Sequence, residues 1–188
     1  MSGELRDVRK RGFTLVEILA VVTALALIGA AVSLERGDTT ADPALDAAAH
    51  AVAGALRHAR SEALRSGAER GVRVVAASGQ VTVYEPDLSG GSIVIANVLP
   101  DPLSKHPYSF QVQDLASAGR VRIDASSLPF DYDSGGASSI DVLFDASGVA
   151  VLVNAGSRLL LDQGRVELEI GDFSRRVELS RIGRVTIQ

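Results

Sequence analysis

The chain has no cysteine and no tryptophan, a single methionine, and aromatic residues at only 4% of its 188 positions. Without cysteine there is no thiol nucleophile, no disulfide scaffold and no cysteine-ligated metal, and the redox compartment stays open. With so few aromatics the core must be built from Val, Leu, Ile and Ala. The formal charge of -4 provides no basic excess of the kind that draws a protein to nucleic acid as its main partner. Internal repeats and long low-complexity tracts are missing, as are a G-x-S-x-G nucleophile setting and a phosphate-binding glycine loop. This length suits one domain with a sizeable core rather than two.

What the sequence does have is concentrated near its start. Phe13 to Leu34 is a run of 22 residues with Glu17 as its one charged side chain. As a helix rising about 1.5 Å per residue, it is long enough to span a hydrocarbon core of roughly 30 Å. Arg6, Arg9, Lys10 and Arg11 precede it, with Glu4 and Asp7 as the acids. Basic flanks of this kind hold the short leader in the cytoplasm and send the rest across the membrane. A secretory signal peptide is the plainer alternative, and Ala30, Ala31 and Ser33 could imitate its cleavage site. The apolar run, however, exceeds the usual signal-peptide core of about 7–15 residues. Glu17 separates the two readings. A carboxylate inside a membrane helix costs on the order of 2.5–3.5 kcal/mol and needs a partner. Ala20, Ala24, Gly29, Ala30 and Ala31 would let neighbouring helices approach closely, although such residues are also ordinary in membrane helices.

The stretch Arg11-Gly12-Phe13-Thr14-Leu15-Val16-Glu17 resembles the leader of type IV prepilins and type II secretion pseudopilins. The resemblance implies that a membrane-embedded prepilin peptidase cuts between Gly12 and Phe13 and that Phe13 becomes the N-methylated first residue. Glu17 would then be the fifth residue, placed to pair with the Phe13 ammonium of a neighbouring subunit. Methylation preserves the charge of the amine, and the ion pair offsets two otherwise costly burials. Gly12 presents no side chain to obstruct the protease. The leader Met1–Gly12 carries four basic and two acidic side chains, so its removal takes the formal charge from -4 to -6.

Beyond the apolar run, Glu35 to Asp42 is polar and predicts a break or weakened helix. The Arg36-Gly37-Asp38 tripeptide found there is a chance match to an adhesion motif. Asp42 and Pro43 suit the N-cap and first turn of a second helix, which ends at Gly67. Leu45, Ala48, Ala49, Val52, Ala55, Leu56, Ala59, Ala63 and Leu64 form its apolar stripe. From Gly71 the period becomes two. Val72/Val74 and Val81/Val83 flank the turn Ala77-Ser78-Gly79. Ile140, Val142 and Phe144 alternate before Asp145-Ala146-Ser147-Gly148, and Val149, Val151 and Val153 alternate after it. Val166/Leu168/Ile170, Val177/Leu179 and Val185/Ile187 complete the pattern. Leu99 to Lys105 and Ser126 to Ser139 read as loops. The expected fold class is α+β: a long N-terminal transmembrane and spine helix packed on an antiparallel, β-sandwich-like head, a pilin fold. The expected organisation is a cleaved leader 1–12, a transmembrane helix 13–34, a continuing spine helix 35–70 and a periplasmic head 71–188.

The C-terminal half resembles the GspH/FimT class of minor pseudopilins, through Phe144-Asp145-Ala146-Ser147-Gly148 and the closing Gly183-Arg184-Val185-Thr186-Ile187. With the leader and helix, the likeness covers nearly the whole chain. It implies a minor pseudopilin of the type II secretion system, anchored once in the inner membrane with its N-terminus cytoplasmic. In the assembled state it would be part of a periplasmic pseudopilus. The implied partners are prepilin peptidase, the major pseudopilin, other minor pseudopilins and the inner-membrane assembly platform. No enzymatic activity and no cofactor are implied. The alternative is a FimT-like minor type IV pilin acting in pilus assembly or DNA uptake, using Arg165, Arg175, Arg176, Arg181 and Arg184. Interleaved Glu167, Glu169, Asp172 and Glu178 leave residues 164–188 at only +1, a weak electrostatic footprint for DNA.

Two other groups contain residue types that ligate metals. His50 and His58 lie two helical turns apart, too far for a routine metal pair, and with His106 they read as surface histidines. Asp131-Tyr132-Asp133-Ser134-Gly135-Gly136 offers oxygen ligands for calcium but lacks the closing acid of an EF-hand loop.

Overall fold

A computed structural model describes residues 15–16, 18–25, 41–115, 121–133, 137–154 and 157–188. The chain divides into two compact units, Met1–Thr39 and Thr40–Gln188. In the first unit, residues 15–16 and 18–25 are helical (α1). The Thr23 hydroxyl donates to the carbonyl of Leu19 at 2.8 Å, so this polar side chain is satisfied by its own helix. Among the described residues no helix is long and apolar enough to cross a membrane. The leader 1–12, most of the apolar run 13–34 and the expected break at Glu35–Thr40 lie outside the described residues.

The second unit opens with α2 (Ala41–Ser66). The helix begins just before the expected Asp42 cap, and Pro43 falls in the first turn, where a missing N–H breaks no intrahelical bond. Leu45, Ala48, Ala49, Val52, Ala55, Leu56, Ala59 and Ala63 are all 0% exposed, the periodic stripe of the sequence. Most are alanines, so the helix axis can lie close to the sheet. Leu64, counted in the same stripe, instead stands half exposed. Gly67 ends the helix with φ 65°. Its N–H returns to the Ala63 carbonyl at 3.0 Å, the left-handed close that glycine makes most easily.

Among the described residues twelve strands follow: β1 (Arg70–Val75), β2 (Gln80–Asp87), β3 (Val94–Val98), β4 (Ser109–Gln111), β5 (Arg122–Ile123), β6 (Phe130–Tyr132), β7 (Ala137–Ser139), β8 (Asp141–Phe144), β9 (Ala150–Asn154), β10 (Ser157–Ile170), β11 (Phe173–Leu179) and β12 (Val185–Ile187). The spatial order is β12-β11-β10-β9-β8-β1-β2-β3, with β4 beside β2, β5 and β6 beside β10, and β7 beside β6. The β1–β2 hairpin has the register its valines suggest, Val72 opposite Val83 and Val74 opposite Val81. β10 joins two parts of the sheet. Its first residues, Ser157–Leu160, pair with β9, and the remainder pairs with β6, β11 and β5.

The segment Ser126–Ser139, expected to be a loop, contains β6 and β7. Their strand identity comes from pairing with β10 and with each other rather than from local propensity, and it buries Phe130 and Tyr132. β8 also departs from simple alternation, since all four of its residues are buried. Val142 and Phe144 join the main core with α2. Leu143 faces the other way, into a second cluster with Tyr84 and Val151, covered by Leu88, Ile93 and Ile95.

Candidate functional site

Among its described residues α1 carries an apolar surface and no charged side chain. Leu15, Ile18, Leu19, Val22 and Leu25 are each more than half exposed. A helix that is apolar on all sides belongs in lipid or against other helices. The expected processing and assembly residues Gly12, Phe13 and Glu17 lie outside the described residues.

In the second unit the most developed polar cluster centres on Asp141, which the alternating pattern passed over as the polar residue between Ile140 and Val142. Its carboxylate receives a two-pronged contact from Arg73, Nε to Oδ1 at 2.8 Å and Nη2 to Oδ2 at 2.9 Å. The Tyr84 hydroxyl donates to Oδ1 at 2.7 Å, and the Tyr132 hydroxyl donates to the Asp141 carbonyl at 2.8 Å. Burial pushes both phenols well above their ordinary pKa, and the Asp141 charge adds to the effect. The Arg73 guanidinium is held protonated chiefly by its bonds to Asp141 and lies 5.7 Å from the Tyr84 ring centroid. Both Asp141 carboxylate oxygens and its carbonyl thus accept from a partner within the cluster. This cluster fastens β1, β2, β6 and β8 together, and its groups are spent on one another. A signal was available in the sequence: an Asp inside a valine-rich strand is costly unless paired.

The C-terminal arginines are largely neutralised. Arg175 bonds Asp46 at 2.8 Å, Arg176 faces Glu167 at 3.6 Å, and Arg181 pairs with Asp133 and lies 3.8 Å from Asp162. Arg184 shares a shallow groove with Asp162 and Glu178. The structure therefore brings Arg175, Arg176 and Arg181 to carboxylates, whereas Arg165 and Arg184 have no ion pair among the described residues.

The Asp131–Asp133 segment is likewise occupied. Asp131 and Tyr132 sit in β6, where Asp131 accepts from the Ser138 hydroxyl at 2.7 Å, and Asp133 pairs with Arg181. Ser134–Gly136 lie outside the described residues. Among the described residues no three His, Cys, Asp or Glu side chains are grouped to hold a metal. His50 and His106 are exposed, as expected of surface histidines. His58 is not: it is half-buried, with its ring 5.4 Å from that of Tyr108. The Asp145-Ala146-Ser147-Gly148 turn is built on the Asp145 carboxylate. Burial works against its ionisation, but bonds from the Ser147 hydroxyl and the Val149 and Ser147 amides outweigh this and lower its pKa.

Residues 48–183, most of α2 and of the sheet, match the family described as type II transport protein GspH. The chain belongs to the GspH family. Residues 8–33 match the prokaryotic N-terminal methylation motif, which spans Gly12, Phe13 and Glu17. No curated protein matches this GspH-family chain in sequence. Among solved structures, the minor pseudopilin EpsH from the type 2 secretion system of Vibrio cholerae is 14% identical, with 77% of this chain and 95% of that chain covered and a TM-score of 0.48. A second EpsH structure from that organism is 15% identical, covering 77% and 93%, with a TM-score of 0.46. The type IV minor pilin FimU of Pseudomonas aeruginosa is 17% identical, covering 77% and 87%, with a TM-score of 0.42.

Proposed function

We propose that the chain is a minor pseudopilin, a structural and non-catalytic subunit of the type II secretion pseudopilus that helps export folded proteins across the outer membrane. The observation that carries this reading is the union in one chain of a GspH-family head and an N-terminal methylation motif. Prepilin peptidase cuts after Gly12, and Phe13 becomes the methylated N-terminus. Residues 13–34 anchor the subunit in the inner membrane, with the leader cytoplasmic and the head periplasmic. At the filament base Glu17 attracts the Phe13 ammonium of a neighbour, and apolar helix packing then replaces lipid around the extracted subunit. Major and minor pseudopilins and the inner-membrane assembly platform are the partners. The alternative, a FimT-like minor type IV pilin acting in pilus assembly or DNA uptake, is disfavoured in its DNA-binding form by the ion-paired C-terminal arginines.

Mass spectrometry of the protein from host membranes tests the processing step. The expected N-terminus is N-methylated Phe13, and a mature chain starting elsewhere contradicts the assignment. Glu17→Ala should leave cleavage intact while removing the subunit from sheared filaments. Incorporation of that variant at the wild-type level would end the ion-pair role.

A further inference from the structure

We infer that the arm between β3 and β4 is the surface by which this head docks apolar side chains of a different subunit of the filament, with Leu103 as its anchor. The inference rests on the filament-subunit reading and names a contact within it.

The arm runs from Leu99 to Tyr108 and is fastened along its length. Pro100 and Pro107 pair across it. The Asp101 amide donates to the His106 carbonyl at 2.8 Å, and the Tyr108 amide to the Leu99 carbonyl at 2.7 Å. The Asp101 carboxylate turns inward, accepting from the Leu103 amide at 2.7 Å and the Ser104 amide at 2.8 Å. These bonds, that of Ser104 first, hold its carboxyl below the ordinary aspartate range. Lys105 closes the tip at φ 62°, the one residue other than glycine with a positive φ among the described residues. Its amide donates to the Asp101 carbonyl at 3.0 Å and its ammonium to the Pro102 carbonyl at 2.8 Å. A side chain in that backbone region is strained, and such strain clusters at binding sites, where the surroundings hold it in place. What this rigid tip displays is Leu103, 92% exposed and the most exposed large apolar side chain among the described residues. The core gains nothing from it, since Leu103 joins neither apolar cluster of the head.

The foot of the arm is braced on α2. The Tyr108 ring lies 5.4 Å from that of His58 and 6.0 Å from that of Phe110. Its hydroxyl sits against Gly54, where an added Cβ would be 3.5 Å away. Beside it a groove of about 360 Å³ is lined by Ala51, Pro107, Tyr108, Phe110 and Leu115 together with polar residues of the arm. Ser104, next to Leu103, also lines this groove, so the exposed leucine and the apolar groove share one surface. Lipid suits that surface poorly. Asp101 and Asp114 offset Lys105, and a lone leucine is far smaller than an acyl chain, which itself binds a bilayer only marginally. A second copy suits it poorly too. Two other grooves of the head are charged, one lined by Asp162, Glu178 and Arg184 and one by Glu69, Asp145 and Arg158. Two copies exchanging arms would form a closed pair that cannot extend a filament. A different subunit is the occupant left, and a filament sets one beside each head. Because the tip is already fixed, burying Leu103 in that neighbour carries little ordering cost.

The full chain in host membranes provides the test. A photoreactive side chain replaces Leu103 in one strain and, in another, Leu160, an exposed leucine of β10, which lies far from β3 in the strand order. Irradiation is expected to join position 103, and not position 160, to a second polypeptide that mass spectrometry identifies as a different subunit with its own methylated N-terminus. Leu103→Asp should lower the amount of this chain in sheared filaments about tenfold, equivalent to about 1.4 kcal/mol, while its melting temperature stays at the wild-type value. Lys105→Gly relieves the positive φ and loosens the tip, so its melting temperature should hold or rise while incorporation falls. A merely structural arm would move stability and incorporation together. The contact is overturned by adducts formed only between copies of this chain, only with lipid or only with exported cargo. A yield at position 103 no greater than at position 160 overturns it too, as does wild-type incorporation of Leu103→Asp. Secretion scored in the same cells separates the two ideas. A missing adduct in a chain that enters filaments and is required for secretion removes the contact alone, whereas a wild-type chain that enters no filament and is dispensable for secretion removes the filament-subunit reading.

Discussion

Asp141, Arg73, Tyr84 and Tyr132 show how a single buried carboxylate can organise several strands. Removing one partner of a buried ion pair leaves the other uncompensated, so Asp141→Ala should cost on the order of 3 kcal/mol. Denaturant melts read that loss, and a cost below about 1 kcal/mol would mean that the network is not structural. The same residues predict the alkaline behaviour. Burial raises the pKa of Tyr84 and Tyr132 above the ordinary tyrosine value. Their contribution is therefore fully present below about pH 10 and is lost as pH rises further, because the unfolded chain releases phenolic protons that the native state keeps. With both phenols retained, stability should fall by about 2.7 kcal/mol per pH unit in that range. Tyrosinate absorbance from these two residues should appear together with unfolding. If it appears in a chain that is still folded, the burial argument fails. At Gly183, the positive φ and the nearby Gly148 oxygen make any side chain a clash. Gly183→Ala should cost at least 1–3 kcal/mol in thermal or denaturant melts.

At the level of elements, α2 is held by a seam of small and branched side chains. Leu56 is fully buried within it, and Leu56→Ala should cost about 2–5 kcal/mol in denaturant melts. This helix and the strands β1, β2, β8, β9, β11 and β12 were legible because each carries its own period, 3.6 or two. The Gly67 stop and the Gly79 turn were legible because glycine takes a positive φ without strain. β6 and β7 were not legible. Asp131, Ser138 and Ser139 are turn-forming residues, and they become strands only because β10, distant in sequence, pairs with β6 and β6 in turn pairs with β7. The first half of β10 was missed for a related reason. Gln163 and Gly164 interrupt the alternation, and a register shift between Leu161 and Gln163 absorbs the irregularity. Asp141 was unread because its partners Arg73 and Tyr84 are distant in sequence and become neighbours only through the β1–β2 and β1–β8 pairings. The leader was the reverse case. Gly12, Phe13 and Glu17 were read from one short local motif, which the methylation-motif match also covers.

For the whole molecule, the proposed function assigns anchoring to the apolar N-terminal segment and contacts with neighbouring subunits to the compact α2–sheet unit. α1 lacks any polar face in the described residues, so it requires lipid or other helices around it. The sheet unit carries its own closed core and presents mixed charge to its surroundings. A secretion role and a DNA-uptake role differ in what that surface must do, and the paired arginines fit the first. The most direct test of this account is deletion of the chain from its host, scored in parallel for extracellular proteins and for DNA uptake. The account predicts that secreted proteins accumulate in the periplasm while transformation is unchanged, and that the wild-type chain restores export. An intact secretome with lost transformation or twitching would contradict it.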